Sequence, residues 1–173
     1  MKILRWVLSI LACAWLGQYL LAMILPSLIM AVLYEQGAGQ GGYNQLVVRP
    51  LPDETFRGVV RPSPDLLYAS CLYNLKDGPL FIEAPVPDRY WSMQFYQMNT
   101  DNFAGITNQR DEQRRIGSVA KVTLIRAEDT PADYPGEVIQ SPTDRGIVLL
   151  RASAIGDRVQ QQAALDASSC GPA

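Results

Sequence analysis

Histidine is absent from this chain of 173 residues, so the side chains able to do chemistry are carboxylates, amides, hydroxyls, arginines, aromatics and three cysteines. Without an imidazole there is no Ser-His-Asp or Cys-His nucleophile, and the usual general base near neutral pH is missing. Nearly all catalytic zinc arrangements go with it. A phosphate-binding loop is excluded as well, because the glycines of residues 35–45 are not flanked by a strand and a helix. No cofactor, no metal and no catalytic residue are expected, and an enzyme is the less favoured reading.

Three polar clusters remain. In Arg61-Pro62-Ser63-Pro64-Asp65, Arg61 and Asp65 bracket a proline turn, where they could pair or hold a ligand carboxylate; a plain turn with an Asx-type cap uses the same residues. Arg89, Tyr90 and Trp91 open an aromatic segment. A tryptophan beside an exposed tyrosine can form a sugar-stacking platform, while core packing and cross-strand pairing explain the same pattern. Asn99, Asp101 and Asn102, with Thr100 between them, have the oxygen-rich composition of a calcium loop but lack its downstream glutamate, and turn capping accounts for them equally. Glu83 and Asp101 are carboxylates of the type that flank a glycosidic bond, although nothing in the sequence sets their separation. Cys71 and Cys170 could bridge in an oxidising compartment; alternatively Cys71 is a small buried residue and Cys170 lies in a loose tail.

The elements that must position these groups begin with an apolar run. From Trp6 to Tyr34 no charged side chain occurs, and a helix needs only about 20 such residues to cross a bilayer. The run is longer than required, so the helix is expected to tilt, protrude, or break near Pro26. Lys2 and Arg5 precede it and Glu35 is the first charge after it. By the positive-inside tendency this places the N-terminus in the cytoplasm and the remainder outside. A cleaved signal peptide is the competing reading, with Ala12-Cys13-Ala14 as a small-x-small site. Cleavage there would leave too short an apolar region before it and a second long one after it.

Residues 35–45 contain four glycines and no apolar period, which predicts a flexible spacer. The proline-rich stretch 46–64 is expected to be extended. Leu66–Leu75, an Asp77-Gly78 turn and Leu80–Ala84 read as a hairpin. Tyr90–Met98 reads as a strand with Trp91, Met93 and Phe95 on one face. Further strands are expected at Val119–Ile125 and Ile147–Arg151, around charged or proline-rich turns at 111–115 and 141–146. A helix is expected only at 157–167, followed by a frayed end. Short strands separated by Pro, Gly and Asp turns predict a mainly β fold, an antiparallel β-sandwich or partly open barrel, behind one transmembrane helix. The expected divisions are an anchor at 1–34, a spacer at 35–45, a β domain at 46–156, and a short helix and tail at 157–173. All seventeen acidic residues and thirteen of the fifteen basic ones lie beyond residue 34. A mildly acidic domain without a basic cluster argues against a nucleic-acid partner.

The ordered series Val59-Val60-Arg61-Pro62-Ser63-Pro64-Asp65-Leu66-Leu67-Tyr68-Ala69-Ser70, Asp77-Gly78-Pro79-Leu80 and Pro87-Asp88-Arg89-Tyr90-Trp91-Ser92 resembles the bacterial family called domain of unknown function 1254. Asn99–Phe103 and the Ser141-Pro142-Thr143 turn before a hydrophobic strand ending in Arg151 extend the likeness, which covers about residues 45–151. The resemblance implies a mostly antiparallel β-sandwich. In longer relatives a second domain follows, domain of unknown function 1214, and it is missing here. The implied arrangement is a split one, in which that second domain is a separate membrane-anchored chain pairing with this one. No activity or catalytic residue carries over. The expectation is thus a bacterial inner-membrane, single-pass protein with a periplasmic, non-catalytic interaction domain. The alternative is a periplasmic carbohydrate or small-ligand binding domain, with an enzyme acting on envelope sugars through carboxylates as the least favoured third.

Overall fold

The computed structural model describes residues 2–50, 63–108, 118–131 and 133–173. Its first element, α1 (Lys2–Gly41), is a single helix of 40 residues, about 60 Å long at 1.5 Å per residue. Pro26 lies inside it without ending it. The expected spacer is corrected here, since residues 35–41 are helical and only 42–45 form a turn. Glycine lowers helix propensity by about 1 kcal/mol per residue, and the packing described below offsets that cost. The helix stops at Gly42, whose φ of 77° suits the left-handed residue just past a helix end, and whose N–H donates to the Ala38 carbonyl at 2.9 Å.

Among the described residues nine strands follow: β1 (Leu46–Val48), β2 (Leu66–Asn74), β3 (Leu80–Pro85), β4 (Trp91–Gln97), β5 (Asn102–Thr107), β6 (Val119–Arg126), β7 (Glu137–Ser141), β8 (Arg145–Ser153) and β9 (Ser169–Pro172). Between β8 and β9 lies the short helix α2 (Arg158–Asp166), capped by Asp157, whose side chain accepts from the Gln160 N–H. One sheet has the order β1-β2-β8-β4-β5 and the other β7-β6-β3-β9. Every pairing is antiparallel except the parallel β6–β7 pair.

The two inner faces make one core. Leu67, Ala69, Cys71 and Tyr73 of β2, Trp91, Met93 and Phe95 of β4, and Val148, Leu150 and Ala152 of β8 meet Leu80, Ile82 and Ala84 of β3 and Ala120, Val122 and Leu124 of β6. Alternate residues point inward, as the period of two along a strand requires. The result is an open β-sandwich and not a closed barrel.

Two further expectations are corrected. β2 and β3 do not form a hairpin, because β2 pairs with β1 and β8 while β3 pairs with β6 and β9. Leu75, fully buried, draws the chain into the core at the corner, so the Asp77-Gly78 turn crosses from one sheet to the other. The tail is not frayed either: β9 pairs with β3 from Leu80↔Pro172 to Glu83↔Ser169. Cys170 is disulfide-bonded to Cys71 across the sandwich, with 6.5 Å between their Cα atoms.

Candidate interaction surface

The apolar helix and the sandwich meet through the last turns of α1. Leu, Ile, Val and Trp side chains between Ile3 and Val32 are exposed, whereas Met30 and Tyr34 are buried. The Tyr34 hydroxyl donates to the Tyr73 carbonyl at 2.9 Å, its ring stacks on Tyr43 with centroids 5.1 Å apart, and the Arg145 guanidinium carbon sits 5.9 Å from its centroid. One turn on, Gly37 faces Leu72, where an added Cβ would come within 2.8 Å of Cδ1. Another turn on, Gly41 faces the Val47 side chain with no room for a Cβ. These two glycines let the helix backbone lie close over the outer face of the five-stranded sheet.

Asn44 closes the junction. Its φ is 57°, a conformation asparagine tolerates better than most residues, and its N–H donates to the Leu72 carbonyl at 2.8 Å. Its side-chain amide donates to the Asn74 carbonyl at 2.9 Å and its side-chain oxygen accepts from the Asn74 N–H at 2.7 Å. The chain then runs directly into β1. Arg49 at the end of β1 reaches back to Gln40 on the helix at 2.5 Å. Helix, turn and edge strand therefore form one continuous contact.

Below Tyr34, the Tyr73 hydroxyl lies 2.8 Å from Ser141 Oγ. Ser141 donates its own proton to the Thr143 carbonyl at 2.7 Å, which makes Tyr73 the donor in that pair. Burial pushes the Tyr73 phenol above its ordinary value, and the hydrogen bonds to Ser141 and Thr143 oppose this only in part. Gly146, opposite Tyr73 in the β2–β8 pairing, leaves space for that ring and for the Tyr96 carbonyl.

The residues singled out in the sequence do not converge. Asn99, Asp101 and Asn102 lie where β4 turns into β5, at the end of the sandwich past which the exposed part of α1 leaves. There Asn99 Nδ2 donates to Asp101 Oδ2 at 2.7 Å, the Asp101 N–H donates to Asn99 Oδ1 at 3.0 Å, and Gln97 Nε2 donates to Asp101 Oδ2 at 3.2 Å. This is the bonding of a capped turn. Asn102 packs against Gln94 of the neighbouring strand. At the opposite end, the Asp65 carbonyl accepts from Ala154 at 2.7 Å and the Tyr90 carbonyl from Ser153 at 2.9 Å. The Asp65 and Arg89 side chains are exposed, and Arg61 falls outside the described residues. Glu83, in the four-stranded sheet, lies 3.8 Å from Lys121, away from Asp101. Among the described residues no group of three or more histidines, cysteines, aspartates or glutamates could hold a metal ion.

Trp91 requires a correction as a stacking residue. Its ring is fully buried in the core, so it offers no face to a sugar. The outer face of β4 instead carries a largely covered polar cluster that joins Tyr90 to two residues not proposed as site residues from the sequence: the buried Ser92 Oγ lies 3.0 Å from the Tyr90 hydroxyl and accepts from Arg151 Nε at 3.2 Å. Ser92 and Arg151 are opposite each other in the β4–β8 pairing, a juxtaposition that depends on strand order. The helix–sheet junction was also missed. Tyr34, Gly37 and Gly41 recur at near-helical spacing, and that signal was hidden by the glycine-rich composition around them.

The sandwich resembles solved structures of low sequence identity. The VPA0106 protein from Vibrio parahaemolyticus matches with a TM-score of 0.67 at 11% identity, over 88% of this chain and 36% of that one. An uncharacterised protein from Burkholderia cenocepacia matches with a TM-score of 0.46 at 17% identity, over 67% of this chain and 34% of that one. The chain thus spans about a third of the length of the solved structures it matches. No curated protein matches it. A family model covers residues 43–168, the sandwich from just before β1 to the end of α2, and the chain accordingly belongs to the family Protein of unknown function (DUF1254).

Proposed function

We propose that this protein is a membrane-anchored, non-catalytic interaction module, whose sandwich stands in the periplasm of a bacterial cell and pairs with a separate membrane-anchored chain carrying the domain of unknown function 1214. The observation that carries the reading is the division of α1. Its stretch up to Ile29 shows large apolar side chains to every side, which suits a hydrocarbon surrounding, while its last turns are packed against the sheet. Such a helix both lodges in a bilayer and holds the domain at a set height above it. The positive-inside bias of Lys2 and Arg5 supports a periplasmic domain.

The absence of histidine and the separation of the polar clusters to opposite ends of the sandwich favour an interaction role over catalysis. The carbohydrate-binding alternative loses its main aromatic, because Trp91 is in the core. Affinity recovery of the tagged chain from detergent-solubilised membranes is expected to bring down a second membrane protein of the stated type. Recovery of this chain alone, under conditions that preserve known membrane complexes, would overturn the proposal. Protease added to spheroplasts should cleave the sandwich; protection until the membrane is broken would overturn its placement.

A further inference from the structure

Within the uncharged run of α1 the polar side chains are Ser9, Gln18 and Ser27, apart from the thiol of Cys13 and the aromatic heads. Ser9 is satisfied by its own helix, donating to the Arg5 carbonyl at 2.9 Å. A serine at position 27 is short enough to do the same. Gln18 differs: its carboxamide brings two donors and an acceptor, the carbonyls of the preceding turn, toward which a helical side chain leans, belong to the helix's own ladder, the Ala22 carbonyl that Pro26 leaves without its helical donor lies in the opposite direction, and the side chain is exposed. It lies twelve residues beyond Trp6, about 18 Å along the axis, so in a membrane with a core of about 30 Å it falls near the middle. An amide left unpaired there is costly.

Leu11, Ala14, Gln18, Leu21 and Leu25 follow one another at alternating steps of three and four residues and are all exposed. That is the stripe along which two helices wind round each other at a shallow left-handed angle. Ala14, one turn from Gln18, lets a neighbouring backbone come near enough for the amide to reach across. We infer that this stripe pairs with the same stripe of a second copy of the chain, the two Gln18 carboxamides bonding to each other.

A second copy is the occupant the chemistry selects. Two copies inserted the same way put Gln18 at the same depth, and a carboxamide is complementary to itself, each giving one N–H and accepting one across a two-fold axis. The inference rests on the membrane-anchored reading. It uses a surface different from the sandwich, which stays free for the partner proposed above.

The test is energy transfer between donor- and acceptor-labelled full-length chains in phospholipid vesicles, diluted with lipid, alongside alkaline extraction of the same vesicles. Wild-type chains are expected to show transfer that falls on dilution. Gln18→Leu should weaken association by roughly 3- to 30-fold, from the usual worth of an interhelical polar contact, and Gln18→Asn should retain it. Absence of transfer in vesicles that keep the chain through alkaline extraction would overturn the pairing and leave the anchor standing. Gln18→Leu associating as well as wild type would also overturn it, as would transfer that needs a second protein. Loss of the wild-type chain on extraction would overturn the anchor itself and this inference with it.

Discussion

Tyr34 illustrates how one side chain can join two parts of a molecule. Its ring is apolar enough to close the junction between α1 and the sheet, and its hydroxyl satisfies a strand carbonyl of Tyr73. Tyr34→Phe keeps the ring and leaves that carbonyl with one partner fewer, at an expected cost of about 1 kcal/mol. Hydrogen exchange at residues 35–41 should quicken; unchanged exchange would show that the bond does not hold the helix end. Tyr73 predicts a pH effect. Burial holds its phenol above the ordinary value, so folding favours the neutral form. The stability this supplies is fully present below the unfolded pKa near 10 and is lost as pH rises through the higher folded value. The urea midpoint is expected to fall at alkaline pH above about 10, and Tyr73→Phe should remove this residue's part of the fall. An alkaline limb identical in the variant would contradict that assignment.

At the scale of elements, the glycines at the end of α1 decide whether helix and sheet move together. An added methyl at position 37 meets only the mobile end of Leu72. Gly37→Ala is therefore expected to be close to neutral, with helix propensity offsetting a small readjustment. A side chain at position 41 collides with Val47 in β1, a β-branched residue with little freedom to turn away. Gly41→Leu should lift the helix end from the sheet and raise exchange at Leu46–Val48; protection equal to wild type would refute the rigid junction. Gly146→Ala is a sharper test of β8, because the methyl would meet the Tyr96 backbone and the Tyr73 ring together. A loss of about 1–3 kcal/mol in chemical denaturation is expected.

Taken whole, the molecule is a sandwich stapled shut and mounted on a stiff helix. The Cys71–Cys170 bond joins residues 99 apart in sequence and ties the edge strand β9 to the opposite sheet. Cys170→Ser is expected to lower stability by about 2–5 kcal/mol, with β9 and the neighbouring edge of β3 losing exchange protection first. Wild-type protein treated with a reductant should behave in the same way. Equal stability of the oxidised and reduced chains would show that β9 holds by its strand pairing alone. Under the anchored reading proposed above, the end that would face the bilayer is the one bearing the turns at 75–79, 98–101 and 142–144, where α1 leaves the sandwich.

The apolar run, the shared face of Trp91, Met93 and Phe95, the short helix after Asp157 and the β-sandwich class were all legible in the residues, because each depends on local period or local turn chemistry. The family was legible too, through motifs in a fixed order. Strand partners were not. The Asp77-Gly78 turn looks the same whether it closes a hairpin or carries the chain between sheets, and only the pairing of β3 with β6 and β9 distinguishes the two. Glycines at 37 and 41 read locally as flexibility, and as close packing only once Leu72 and Val47 lie beneath them. Trp91 reads as a binding aromatic or a core residue until the second sheet covers it. Sequence by itself determined the periods, the long apolar run and the absence of histidine; tertiary structure decided what each exposed or glycine-rich segment faces, since that depends on residues distant in the chain.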